Sequence, residues 1–271
     1  MQERASSLFA SHMGEDYQNV FHSIDLAGLD PEVLQVRREL AACYRLVHHY
    51  RMSDLLASHI SARLPGREER LLINPFGLLF NEVTASNLVE ITPEGDVIAP
   101  QGAIINPAGL LIHSAVHAAR PELACVIHVH SAAGVAVSAQ AGGLLPISQQ
   151  ALVVMDRLAY HDYEGVALLE DEKARLQADL GDKRVMILRN HGLLAVGKSI
   201  GEAFYWLYML QKACEIQVLA QSGGAPLIEA PQAIRDLVTA QTRQFAGAEM
   251  GLREWVALMR DVERIAPGFD S

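Results

Sequence analysis

Two short apolar runs constrain this chain more than any other feature. "LACVIHV" (123–129) and "RVMIL" (184–188) are nearly continuous in Leu, Val, Ile and Met. A strand with one wet face alternates apolar and polar residues, so a run without alternation reads as a strand buried on both faces. Strands of that kind need helices to cover them on either side.

The helical patterns supply that cover. "DPEVLQVRRELAACYRLVHHYRM" (30–52) carries an apolar stripe through Leu34, Val36, Leu40, Cys43, Leu46 and Val47. Asp30 suits its cap and Pro31 its first turn. "NPAGLLIHSAVHAARPE" (106–122) reads as a helix that stops before Pro121. "SAAGVAVSAQAGG" reads as a small-residue helix closed by glycines, and "DEKARLQADLG" as a polar one. The longest, "SIGEAFYWLYMLQKACEIQVLAQSGG" (199–224), is capped by Ser199 and ended by Gly223 and Gly224. Its aromatics Phe204, Tyr205, Trp206 and Tyr208 sit at helical spacing and read as core or subunit interface. Further strand candidates are "SHISARL" (58–64), "RLLINP" (70–75), "VIA" after the turn "PEGD", and the segment following His191. "TASNLVEI" reads as a short turn of helix leading into another strand. Helices separate some strands and not others, which points to an α/β domain, tending to α+β, with one central sheet. Residues 1–28 lack periodicity and form an N-terminal arm, 29–224 hold the domain, and 225–271 make a C-terminal helical extension.

Charge and cysteine content narrow the function classes. The net charge is −10 and the pI about 5.5, which argues against nucleic acid as a partner, because phosphate contacts need clustered Lys and Arg. Cys43, Cys125 and Cys214 are odd in number and far apart, so no disulfide framework is expected and a reducing, cytoplasmic setting follows. The first residues lack an apolar stretch of the secretory kind. No run of about 18 apolar residues is available to span a membrane.

The run at 123–129 ends in "HVH". On a strand, residues i and i+2 share a face, so His128 and His130 point the same way. "ILRNHGLLAVG" ends a second buried strand at His191, with Gly192 to allow a tight turn back into the cleft. Three neutral imidazoles with an open fourth position are what a catalytic zinc requires, at about 2.0–2.1 Å from each nitrogen.

"HVHSAAGVAVSAQAGGLLPIS", "AYHDYEG" and "LRNHGLLAVG" resemble the class II aldolase/adducin family, from about residue 35 to about 222. "INPFGLLFNEVTASNLV", "GLLIHSAVHAARPEL" and "LLPISQQAL" are similar to its adducin-like branch. The resemblance implies a class II aldolase-like fold: a single layered domain with a central mixed, largely antiparallel sheet flanked by helices. It implies that His128, His130 and His191 bind a divalent ion, Zn2+ before Fe2+, Mn2+ or Co2+. It also implies a homo-oligomer, a tetramer by analogy with the family's aldolases.

The chain departs from the aldolase pattern at the acid. The family carries an acidic residue at the start of the helix before H-x-H, where it transfers protons and can reach the metal; the matching position is Gly109. Glycine transfers no proton. The stretches matching the family's phosphate loops are Ser58-His59-Ile60-Ser61, Phe76-Gly77 and Pro107-Ala108, and two of the three lose most of their donors. Other residues are candidates to fill these gaps. His113, four residues after Gly109 on one helical face, suits a fourth ligand, a supporting partner or a proton carrier, against a plain structural histidine. His117 repeats the spacing and is expected at solvent or a subunit contact. His59, Asn74, Gly77 and Arg189 are candidates for substrate binding, and Tyr160 for a general acid, with His161, Asp162 and Tyr163 beside it.

The residues and the resemblance together leave three functions open. The first is a metal-dependent lyase acting on a small carbonyl compound or hydroxy acid, through Lewis-acid stabilisation of an enediolate. The second is a non-catalytic, adducin-like assembly protein. The third is a decarboxylase or non-haem iron oxygenase using the same three histidines.

Overall fold

Asp30 begins the first helix as its sequence demands: its carboxylate accepts the Glu32 N–H at 2.9 Å and Pro31 occupies the first turn. In this computed structural model, which describes residues 22–245 and 250–271, that helix is α1 (Pro31–His49). Most of the expected N-terminal arm lies outside the described residues. The elements continue as β1 (His59–Leu64), β2 (Arg67–Ile73), a short 3-10 turn at Phe80–Glu82, β3 (Val89–Ile91) and β4 (Val97–Ala99). Then come α2 (Pro107–Ala119), β5 (Cys125–Val129), α3 (Ala132–Ser138), α4 (Gln149–Met155) and β6 (Leu158–His161). The chain closes with α5 (Glu172–Leu180), β7 (Val185–Leu188), β8 (Gly192–Gly197), α6 (Ile200–Ser222), α7 (Gln232–Phe245) and α8 (Leu252–Ile265). "TASNLVEI" holds a turn rather than a turn of helix before β3.

The eight strands form one sheet in the order β4-β3-β2-β1-β5-β8-β7-β6. Every pair is antiparallel except β6 with β7, which run parallel and are joined through α5. A helical crossover is what a parallel pair requires. The two apolar runs become β5 and β7, on either side of β8 and both interior to the sheet.

Both faces of these strands are covered, as the unbroken runs demand. On one face Cys125, Ile127, Val129, Leu193, Ala195, Val185 and Ile187 pack with α1, α6 and α8. On the other, Val126, Leu194, Val196, Met186 and Leu188 meet Leu111, Ile112, Ala115 and Val116 of α2 and Leu176 and Leu180 of α5. The aromatic stripe of α6 is core: Phe204 and Trp206 are each 1% exposed.

Candidate metal centre

Two local features bring His128, His130 and His191 together. β5 and β8 are antiparallel with Val129 opposite Leu193, so the end of β5 lies beside the start of β8. His191 sits in the tight turn between β7 and β8, where its N–H donates to Leu188 O at 3.1 Å. Asn190, just before it, has φ +54°, a left-handed conformation that asparagine tolerates better than most residues. Gly192, just after, approaches β5 so closely that a Cβ would stand 2.4 Å from Val129 O and 3.0 Å from the His130 ring. Both neighbours of His191 are therefore set by the backbone path that aims its ring.

The Nε2 atoms of the three rings converge. His128 Nε2 is 2.8 Å from His130 Nε2 and 3.3 Å from His191 Nε2. The outward nitrogens are held: His128 Nδ1 lies 3.0 Å from Leu193 O, and His130 Nδ1 is 3.6 Å from an Asp54 carboxylate oxygen. Each of those partners draws a proton onto Nδ1 and leaves Nε2 bare. Two bare lone pairs 2.8 Å apart make no hydrogen bond and repel, and a cation between them removes the conflict. Nitrogens around a tetrahedral ion lie roughly 3.3 Å apart at zinc–nitrogen bond lengths, so the donor set fits a divalent metal.

The protonation states agree. Burial, then the neighbouring imidazoles, holds His128 well below the ordinary histidine value. Burial also lowers His130, with Asp54 opposing it, and brings His191 to about 4, helped by His130 and His161. Neutral imidazoles are the ligating form.

The remaining candidates fall in three places. His59 and His113 lie beside the triad: the His59 ring is centred 4.9 Å from that of His128, and His59 Nδ1 is 2.7 Å from His113 Nε2. His113 makes its contacts with His59 and Ser61, so it stands behind the three-histidine cluster. Gly109 explains why His59 fits. A Cβ on Gly109 would lie 2.8 Å from His59 Cδ2 and 3.1 Å from its Nε2. The His59 ring occupies the space that a side chain at Gly109 would need.

Tyr160 is on the wrong side of the sheet for a general acid. It pairs with Ile187, which pairs with Leu193, whereas His128 pairs with Leu194. The pleat therefore sends Tyr160 and His128 to opposite faces. The Tyr160 hydroxyl accepts the Leu144 N–H at 3.0 Å. Arg189 goes with it, stacked 4.3 Å from the Tyr160 ring centre and donating to Gln140 O at 2.9 Å. His161, one residue on, faces α5 and bonds to Asp179 at 2.7 Å. Asp162 is exposed.

Asn74 is 5% exposed and lies 2.9 Å from the Tyr44 hydroxyl, which also accepts the Asn74 and Ile60 N–H groups. Its side chain links α1 to the strands. Gly77 lies exposed in the loop after β2. His117 corrects an expectation: it is 3% exposed and lies 2.9 Å from Ser61 Oγ, because the sheet covers the face of α2 that His113 and His117 share.

Sequence reasoning missed Asp54 and gave Tyr163 no role at the triad. Asp54 sits in a loop with no spacing relation to the triad. Tyr163 is 53% exposed with its ring 6.0 Å from that of His191.

The model of the Class II Aldolase and Adducin N-terminal domain matches residues 38–218. A Pseudomonas aeruginosa protein named for aldolase class 2 is 52% identical over 239 residues, 87% of this chain and 92% of its own. Mouse alpha-adducin is 50% identical over 194 residues, 70% of this chain but 26% of the adducin. The structure of an aldolase II superfamily protein from Pseudomonas syringae superposes with a TM-score of 0.83 at 48% identity, covering 90% of this chain and 98% of that one. L-fuculose 1-phosphate aldolase from Glaciozyma antarctica superposes with a TM-score of 0.77 at 28% identity, covering 93% and 97%. With its sheet, its three converging histidines and these relatives, the chain belongs to the class II aldolase and adducin family.

Proposed function

We propose that the protein is a metal-dependent lyase acting on a small carbonyl compound or hydroxy acid. The observation that carries this reading is the convergence of three neutral imidazole nitrogens, two of them with supported outer nitrogens. His128, His130 and His191 would hold a divalent ion, zinc before the others for a three-imidazole set with an open position. A metal bound there supplies Lewis acidity that polarises a carbonyl and stabilises an enediolate. The chain's own part is to orient: Asp54 steadies His130, Leu193 O steadies His128, and the Asn190–Gly192 backbone aims His191.

A screen of ketoses, hydroxy acids and their phosphates tests the reading. Turnover of one compound, abolished by a chelator and restored by Zn2+, is expected. A fully zinc-loaded protein that turns over nothing in such a screen would overturn it. That result would favour the second reading, a non-catalytic assembly role, which the 50% identity to mouse alpha-adducin supports. The lyase reading carries a homo-oligomer with it, a tetramer by the family resemblance. Light scattering at a mass of one 29.6 kDa chain would reject that part.

A further inference from the structure

Beside the triad runs a buried hydrogen-bond chain that metal binding does not explain. Arg63 Nη2 lies 3.5 Å from His117 Nδ1 and donates to His117 O at 2.9 Å. His117 Nε2 is 2.9 Å from Ser61 Oγ. The same Oγ bonds to His113 Nδ1, and His113 Nε2 is 2.7 Å from His59 Nδ1. His59, Ser61, His113 and His117 are all at most 3% exposed.

A chain of neutral imidazoles and one hydroxyl has a direction. Each ring carries one N–H and one bare nitrogen, and the hydroxyl donates once. A guanidinium only donates. With Arg63 at the far end, His117 Nδ1 is bare, so His117 Nε2–H donates to Ser61. Ser61 then donates to His113 Nδ1, and His113 Nε2–H donates to His59 Nδ1. His59 is left with its proton on Nε2. The Leu123 carbonyl also lies near His117 and favours a proton on that ring. The guanidinium, however, is the group within hydrogen-bond distance of Nδ1.

His59 Nε2 has no hydrogen-bond partner among the described residues, and its ring lies against His128 in the space left by Gly109. We propose that the chain Arg63–His117–Ser61–His113 holds His59 as the Nε2–H tautomer, a neutral hydrogen-bond donor for an oxygen of the ligand on the metal. The ligand class is a small oxyanion, an alkoxide or enediolate of an α-hydroxy carbonyl compound. An arginine at the far end has no proton to pass along, so His59 donates a hydrogen bond and transfers no proton. A neutral donor of this kind stabilises charge as it develops on oxygen. The proposal rests on the lyase reading for its ligand, and on the chain alone for its tautomer.

Long-range 15N–1H spectra of histidine-labelled protein, metal-free and zinc-loaded, test the tautomer directly. A protonated Nε2 and a bare Nδ1 on His59, unchanged between about pH 6 and 8, are expected. A proton on Nδ1, or a mixture of tautomers, overturns the proposal. Ser61→Ala interrupts the chain, and His117→Phe does so at a second point if the first variant does not fold. Either should turn His59 into a tautomer mixture, and an unchanged His59 overturns the role given to the chain. Acetohydroxamate, a small metal-binding oxyanion, tests the donor. Its affinity for the zinc-loaded protein should fall roughly tenfold or more in His59→Leu, the scale of a hydrogen bond to a charged group. It should stay within about threefold in His59→Gln, which keeps an N–H. Equal binding by all three proteins overturns the donor role. If these results hold while no substrate is turned over, the lyase reading fails and the tautomer assignment stands.

Discussion

Two groups of three histidines lie on one side of the sheet, and their geometry separates them. In the first, His128, His130 and His191 turn their Nε2 atoms toward one another. In the second, His59, His113 and His117 are strung out with Ser61 and Arg63, each nitrogen but His59 Nε2 facing one partner in line. Convergence leaves lone pairs in conflict, which a cation resolves. A line of pairs satisfies itself along its length, as buried polar groups must, and leaves a nitrogen open at the His59 end. The same residue type thus makes a convergent cluster fit for a metal where strand ends and a tight turn gather it, and a polar spine where a helix face meets a strand.

The comparison breaks first at the ligands. His128→Ala should lose metal by more than the roughly 100-fold that a supporting residue costs, read by metal analysis after dialysis, whereas His117→Ala should keep a full complement. Equal metal loss in both would erase the distinction. Acid acts next, on the spine. Burial first, and then a charged or imidazole neighbour, lowers His113 and His117 from 6.5 to about 3. Their folded values lie below the unfolded one, so their contribution is complete above about pH 6.5 and is lost as pH falls toward 3. Each should remove about 1.4 kcal/mol of stability per pH unit in that window. Urea midpoints of metal-free protein at pH 7 and 5 measure this, and a His117→Phe variant should show a shallower fall.

The contact between the groups can be sharpened through Gly109. Gly109→Ala forces a methyl to within 3.1 Å of three His59 ring atoms and should cost about 1–3 kcal/mol. The cost should largely vanish in a His59→Ala background. A double-mutant cycle with no coupling would show that His59 does not fill the acid's space. The smallest effect is at the support: Asp54→Asn should weaken metal binding about tenfold, read by competition with a coloured chelator, and leave the urea midpoint of the metal-free protein unchanged.

The sequence carried the layout and the triad because both depend on short-range rules. Unbroken apolar runs announced β5 and β7, and the period of two put His128 and His130 on one side. The same rule separates Tyr160 from His161, but only once the strand is known to span Leu158–His161. Read as a cluster after a strand, the two looked like neighbours in one site. Spacing along α2 alone puts His117 at solvent or a subunit contact, since nothing local shows that β1 covers that face. The partnership of Gly109 with His59 joins residues 50 positions apart. Its only sequence trace is a missing acid at one end and an added histidine at the other. Asp54 had no trace at all, because a carboxylate in an irregular loop has no period to betray it.

The central claim is that the triad, and not the spine beside it, takes the metal. Anomalous diffraction at the zinc edge from crystals of zinc-loaded protein tests it most directly. The account predicts one peak per chain, about 2.0–2.1 Å from Nε2 of His128, His130 and His191, with His59 outside the coordination sphere. A peak bound by His59 or His113, or no peak at the triad, would contradict it.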